Sequence, residues 1–149
     1  MAQAWLGLGA NIGNPPAQLE EALLRLDQHA QIIIGKRSSL LFNPPWGNKE
    51  QNRFLNQVVE VQTSLSAQDL LAACLTIEAD MGRIRGEKWG PRLIDIDLIA
   101  YQRLEITSEN LSLPHPFAHE RQFVMSPLRE IAPDTASWIL QLAEQKREQ

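Results

Sequence analysis

Two aspartates, Asp95 and Asp97, stand inside the aliphatic run at residues 93–100, LIDIDLIA. Side chains alternate faces along a strand, so both carboxylates share a face with Leu93 and Ile99, while Ile94, Ile96, Leu98 and Ala100 share the other. At ~3.3–3.4 Å per residue the two Cα atoms are about 6.6–7 Å apart. Aspartate is disfavoured in strands, and like charges at that range repel. A solvated edge strand would tolerate such acids, but its same-face neighbours would then be polar rather than Leu and Ile. Divalent cations bound between the carboxylates fit the pattern better, and all-oxygen ligation points to magnesium rather than zinc.

Cations lie immediately upstream. Arg83, Arg85, Lys88 and Arg92 fall within ten residues, around Gly82, Gly86 and Gly90. Guanidinium forks take non-bridging phosphate oxygens, glycines permit close approach, and metal on the aspartates would bridge the rest. The segment reads as a polyphosphate site. Strict alternation puts Arg92 opposite the aspartates, so it must act from the loop or through its long stem. Trp46, Phe54, Trp89 and Phe123 all lie in or beside polar segments, which suggests a flat aromatic ligand held by stacking. Asn56, two residues after Phe54 on the same strand face, carries an amide suited to that ligand's polar edge.

Other motifs carry less. GLGANIG, at residues 7–13, has its third glycine one residue late for a dinucleotide fingerprint, and Pro15-Pro16 delays the helix, so it reads as a tight strand-to-helix turn. His115 and His119 in PHPFAH are a poor zinc pair, because Pro116 disfavours a regular helix and neither cysteine nor a further histidine is near. Cys74 falls on an apolar helix face and is expected in the core.

The elements that must position these groups follow from periodicity. Residues 4–8 form a short apolar strand, and a helix follows from about Pro16, with Leu19, Ala22, Leu23 and Leu26 at helical spacing. Residues 31–42 hold the β-branched run Ile32-Ile33-Ile34 and read as one strand. Residues 43–53 form a loop broken by Pro44, Pro45 and Gly47. A third strand covers 54–61. SAQD, at 66–69, has the form of a capping box and opens a helix whose Leu70, Cys74, Ile77 and Met81 share a face, ended by Gly82. A second polar loop spans 83–91, a fourth strand 93–101, and LSLPHP a turn. A short helical piece at 126–131 and a polar helical tail finish the chain. The order β-α-β-β-α-β predicts a ferredoxin-like α+β sandwich, with helices on one face of an antiparallel sheet, extended loops and extra C-terminal helices.

Bulk properties narrow the class. With 149 residues, one domain covering 1–149 is expected. A net charge of −4 without a basic stripe argues against a nucleic-acid partner. The single cysteine excludes an intrachain disulfide and fits a reducing compartment. Nothing approaches the ~20 apolar residues of a membrane span, and MAQAWLGLGANIGN lacks the basic start of a signal peptide. A cytoplasmic protein with small-molecule substrates, working as a monomer, is expected.

KWGPRLIDIDLI, at residues 88–99, resembles the signature segment of the 6-hydroxymethyl-7,8-dihydropterin pyrophosphokinases of folate biosynthesis. The resemblance extends through GLGANIGNP, FNPPWG, FLNQVVEV, IEADMGRIR and LPHPFAHERQFVMSPLREIAP, in the same order. It implies the same sandwich fold and transfer of pyrophosphate from ATP to the pterin hydroxymethyl group, leaving AMP. It also implies roles residue by residue. Asp95 and Asp97 would hold two magnesium ions against the ATP phosphates, and Arg83 and Arg92 would be catalytic; by our own mechanistic reading, Asp97 is also the nearest candidate to take the hydroxyl proton. Glu78, Arg85, Arg92, His115 and Arg121 would contact ATP. Phe54 and Phe123 would sandwich the pterin and Asn56 would read its edge. Asn43, Pro44, Pro45 and Trp46 would close over the pterin, and Trp89 would cover the assembled site. Asn43 stands where a threonine or serine is common, and Leu75 occupies a helix position that can be polar in relatives. A two-metal nucleotidyl transferase or nuclease would use similar aspartates, but with nucleic-acid affinity and a third acid. A nucleotide-sensing module would bind ATP without turnover.

Overall fold

The computed structural model describes residues 1–43, 54–84 and 93–148. Its elements are β1 (Ala2–Ala10), α1 (Pro15–Gln28), β2 (Ile32–Arg37), β3 (Leu41–Phe42), β4 (Leu55–Thr63), α2 (Ala67–Ile84), β5 (Asp95–Tyr101), β6 (Ile106–Thr107), β7 (Ser112–Leu113), α3 (Gln122–Ile131) and α4 (Pro133–Arg147). A 3₁₀ turn at Ala118–Glu120 leads into α3. The main sheet runs β2-β4-β1-β5 with β3 also on β4, and every pairing is antiparallel. β6 and β7 form a separate ribbon. No helix among the described residues is long and apolar enough to cross a membrane.

The turn after β1 shows why GLGANIG is a connector. Gly13 has φ 70°, the left-handed region that favours glycine. Asn14 then caps α1, its side chain accepting from the Ala17 N–H at 3.3 Å, so the helix begins at Pro15, one residue before the expected start. Leu19, Ala22, Leu23 and Leu26 are buried as their spacing requires. At the start of α2, Ser66 Oγ accepts from the Asp69 N–H at 3.1 Å, half of the expected capping box.

Two cores sandwich the sheet. On one face Leu6, Leu8, Val59, Val61, Ile96 and Leu98 pack with Leu19, Leu23 and Leu26 of α1 and Leu70 and Cys74 of α2. On the other, Trp5, Val58, Ile99 and Ala100 pack with Val124, Met125, Leu128 and Ile131 of α3 and Ile139 of α4. The expectation of helices on one face only is therefore corrected: the C-terminal helices cover part of the second face. That explains Ile99, an aliphatic on the aspartate face. It lies where the second core covers the strand, whereas the aspartates lie beyond that cover.

Other boundaries shift for local reasons. The β1–β5 register slips between Trp5 and Leu6, which pair with Ala100 and Leu98, leaving Ile99 as an extra residue. This bulge carries Ala100 into the second core, against strict alternation. The expected single strand at 31–42 splits into β2 and β3, because Ser38 interrupts the ladder with its side chain: Ser38 Oγ accepts from the Val58 N–H at 2.9 Å. α2 runs past Gly82, where an added Cβ would meet nothing within 4 Å and where the backbone is not left-handed, so this glycine ends nothing. α3 begins four residues before Ser126. Pro127 lies inside it and removes one backbone hydrogen bond, a loss set against burial of Val124, Met125, Leu128 and Ile131.

Cys74 sits in the first core as expected, with no exposed surface. Burial, with smaller contributions from the Glu78 and Asp97 charges, pushes its thiol up from an ordinary 9.0 to about 12. Between those values the thiol ionises only in the unfolded chain, so stability falls as pH rises through that interval. At pH 8 a thiol reagent should label the native protein only at the rate of opening, and the denatured protein immediately. Comparable labelling rates for the two would place Cys74 at the surface.

Candidate active site

The site grows from the register of β1 against β5. Gly9 faces Asp95 and Gly7 faces Asp97 across the ladder, so each carboxylate has a cross-strand neighbour without a side chain. An open trough results on the second face of the sheet, next to the first turn of α3. It deepens into a cavity of about 250 Å³ lined by both aspartates, both glycines, Asn43, Phe54, Asn56, Arg121 and Phe123. The structure thus brings together, around one space, the paired acids and two of the aromatics singled out from sequence. Gly7 and Gly9 are strand residues as well as the start of a turn, and their period-two spacing is the sequence signal that they share one strand face. A Cβ on Gly9 would stand 3.2 Å from Asn56 Oδ1 and 3.6 Å from Phe54 Cδ1, so the missing side chain is what keeps the floor flat.

Asn56 and Asn43 form the polar edge of this cavity. Asn56 is buried, and its Nδ2 donates to Leu41 O at 3.1 Å, to Phe54 O at 3.2 Å and to Asn43 Oδ1. The Asn43 N–H in turn donates to Phe54 O at 3.0 Å. The Asn56 amide was expected to offer a ligand both donors and acceptors; the protein uses the donor end to tie β3 to β4. Oδ1 is the end turned toward Gly9.

A second cavity, of about 300 Å³, lies across β5. Leu71 and Leu75 of α2, with Ile96, Leu98 and Leu111, give it an apolar wall, and Glu78, Asp97, Glu109, Asn110 and His115 give it a polar rim. Asp97 lines both cavities. The apolar wall was not foreseen; Leu75, 51% exposed on a helix surface, was its visible sign. Glu78 has a structural task as well: its Oε1 accepts from the Ile96 N–H at 2.6 Å, satisfying an outward donor of edge strand β5.

His115 is placed by its backbone, whose N–H donates to Ile99 O at 2.8 Å. Its Nδ1 accepts from the Phe117 N–H at 3.2 Å, which leaves Nε2 to carry the proton of the neutral ring. Burial holds the His115 pKa below its usual 6.5; Asp97 pulls it up, while Arg121 adds to the lowering. Arg121 lies between two rings, its guanidinium carbon 5.7 Å from the Phe117 centroid and 5.8 Å from that of Phe123. Its Nη1 is 3.9 Å from Asp97 Oδ2, with both side chains more than a third exposed. An ion pair this long and solvated contributes ~0–1 kcal/mol at most and leaves both groups able to engage a ligand.

The donor set fits divalent cations. Asp95 and Asp97 present hard oxygen ligands on one strand face, beside further acids of the second cavity. Among the described residues no group of three or more His, Cys, Asp and Glu side chains forms a closed cage. Magnesium characteristically takes one or two carboxylates and completes its shell with water and substrate phosphates, so a partial site suits it. Pro44, Pro45, Trp46, Arg85, Trp89 and Arg92, and the side chain of Arg83, lie outside the described residues.

Known proteins share this chain's sequence and shape. The family model for 7,8-dihydro-6-hydroxymethylpterin-pyrophosphokinase matches residues 5–133. A 2-amino-4-hydroxy-6-hydroxymethyldihydropteridine pyrophosphokinase of Methylorubrum extorquens is 48% identical over 134 residues, covering 90% of this chain and 85% of the relative. The protein of the same name from Bacillus subtilis is 42% identical over 128 residues, covering 86% and 77%. The fold is shared with Plasmodium falciparum HPPK-DHPS, at TM-score 0.71 and 16% identity for its A437G form; the alignment covers 89% of this chain but only 42% of that longer one. The sequence match extends across most of the chain and both strands that build the trough, and the chain belongs to the 7,8-dihydro-6-hydroxymethylpterin-pyrophosphokinase family.

Proposed function

We propose that the chain transfers pyrophosphate from ATP to the hydroxymethyl group of 6-hydroxymethyl-7,8-dihydropterin, releasing AMP, as a step of folate biosynthesis. The observation that carries the reading is Asp97, a carboxylate common to two adjoining cavities. One cavity has aromatic walls and an amide edge, suited to a flat heterocycle. The other has an aliphatic wall with a polar rim, suited to a nucleoside whose phosphates point at the aspartates. The scaffold is of the ferredoxin-like kind: the sheet order β2-β4-β1-β5 is that of a split βαβ sandwich, with β3 added on β4.

In this reading Phe54 and Phe123 stack on the two faces of the pterin, and Asn56 Oδ1 accepts from its edge. Asn43 closes that edge, and Pro44, Pro45, Trp46 and Trp89 cover the ligand. His115 Nε2 and Arg121 hold the nucleotide phosphates, with Arg85 and Glu78 at its margin. Asp95 and Asp97 would hold two magnesium ions, which when bound neutralise phosphate charge and align the triphosphate. The pterin hydroxyl oxygen attacks the β-phosphorus; its new bond forms as the bridge from the β-phosphorus to the α-phosphate oxygen breaks, and AMP departs with that electron pair. Asp97 takes the hydroxyl proton. Arg83 and Arg92 stabilise charge on the phosphoryl oxygens and the departing α-phosphate, while stacking supplies orientation. A nuclease reading is less well supported, because the described acids do not form a three-carboxylate cluster and the chain has a net charge of −4.

Mixing the protein with ATP, magnesium and the reduced pterin should yield AMP and pterin diphosphate, and ATP alone should not be consumed. Asp97→Ala should abolish the transfer; near-normal turnover in that variant would remove the metal assignment. Arg92→Ala should lower kcat more than it weakens ATP affinity, as single-turnover kinetics beside equilibrium ATP binding will show. Phe123→Ala should weaken pterin binding by ~1–3 kcal/mol, the scale of base–aromatic stacking. Unchanged affinity in calorimetry would reject the sandwich.

A further inference from the structure

At the other side of the sheet from β5, the connection between β2 and β3 is fastened on two sides. Ser38, itself buried, is held by β4: its N–H donates to Val58 O at 2.9 Å, its Oγ accepts from the Val58 N–H, and its carbonyl accepts from Gln57 Nε2 at 2.8 Å. Ser39 is held by α3. Its N–H donates to Glu130 Oε1 and Oε2 at 3.0 and 2.9 Å, and its Oγ–H donates to Oε2 at 2.9 Å. A carboxylate bound to one backbone N–H through both oxygens, and to the adjoining hydroxyl, makes a charge-assisted grip between segments 91 residues apart in sequence.

Both ends of this grip lead to the first cavity. Four residues beyond Ser39 is Asn43, which with Leu41 O engages the Asn56 amide at the cavity edge. Seven residues before Glu130, on the same helix, is Phe123, which also lines this cavity. Seven residues make about two helical turns, so Phe123 and Glu130 project from nearly the same side of α3. One helix therefore carries a lining residue of the cavity near its first turn and, near its last, the anchor for the segment that carries Asn43.

We propose that Glu130 is a positioning residue for the pterin: its grip on Ser39 fixes the distance between the Phe123 wall and the Asn43–Asn56 edge. The second cavity lies across β5 and none of its lining belongs to this brace; Arg121 caps the far end of α3, nine residues from Glu130, so Glu130 acts chiefly on the pterin. The inference rests on reading the first cavity as the pterin site.

Equilibrium binding of the reduced pterin and of magnesium-ATP should be measured separately on Glu130→Ala, Glu130→Gln, Ser39→Ala and Phe123→Ala. Glu130→Ala should weaken pterin binding roughly tenfold, the scale of a lost charge-assisted hydrogen bond, with ATP affinity within about twofold of the parent. Glu130→Gln, whose side-chain oxygen still accepts from Ser39, should recover most of the loss. Ser39→Ala should show a smaller loss of the same selectivity, and should add little when combined with Glu130→Ala. Should Glu130→Ala not fold, Ser39→Ala carries the same test through its selectivity. Equal weakening of both substrates, or intact pterin binding in the Glu130 and Ser39 variants while Phe123→Ala is impaired, overturns the positioning role. Intact pterin binding in Phe123→Ala instead overturns the cavity reading, and the role of Glu130 with it.

Discussion

The pairing of Gly7 with Asp97 and of Gly9 with Asp95 is the constraint on which the rest of the site depends. Two carboxylates on one strand face repel each other and crowd their neighbours, and a sheet ordinarily resists them. Here the adjacent strand contributes no side chain opposite either one. The vacated volume becomes the cavity floor, and both acids line that cavity. A slip of one residue in this register would turn the aspartates into the core beneath α1 and α2 and lift Ile96 and Leu98 into solvent. The aliphatic residues that alternate with the acids, Ile96 and Leu98, therefore lock the acids in place, because their burial sets the register.

The second face of the sheet is covered only in part. α3 and α4 bury Trp5, Val58, Ile99 and Ala100, and the bulge at Ile99 lets the edge strand follow that cover. Where the cover stops, the trough begins, and the first turn of α3 supplies Phe123 at its rim. The same helices that complete the hydrophobic core thus delimit the site, and stability and function share one boundary. Across the edge strand, His115 and Glu78 attach to the outward backbone groups of Ile99 and Ile96, so the second cavity is built by capping an exposed sheet edge.

Several site residues hold one another as well as facing the cavities. Asn56 spends its amide donor on the β3–β4 connection, and Arg121 rests between two rings while touching Asp97 only weakly. Such arrangements fix side-chain orientation before a ligand arrives, which lowers the ordering cost of binding. The pair at Arg121 is long and solvent-exposed, so it adds little to stability.

Much of this could be read along the chain, because it depends on local periodicity. The alternation in LIDIDLI placed both acids on one face, helical spacing put Cys74 in the core, and the order of elements anticipated the antiparallel sheet. Local chemistry likewise marked Phe54, Asn56 and Phe123 as ligand-facing types, and the structure sets all three around one cavity. Tertiary structure alone decided what depends on partners distant in sequence. The roles of Gly7 and Gly9 are invisible until β1 pairs with β5, and Asn56 loses its donors only when β3 reaches β4. Glu130 gains a partner only when α3 folds back over the sheet. Periodicity in a sequence fixes which side of an element a residue occupies; what stands opposite is set by register and packing, which join residues that the chain itself keeps far apart.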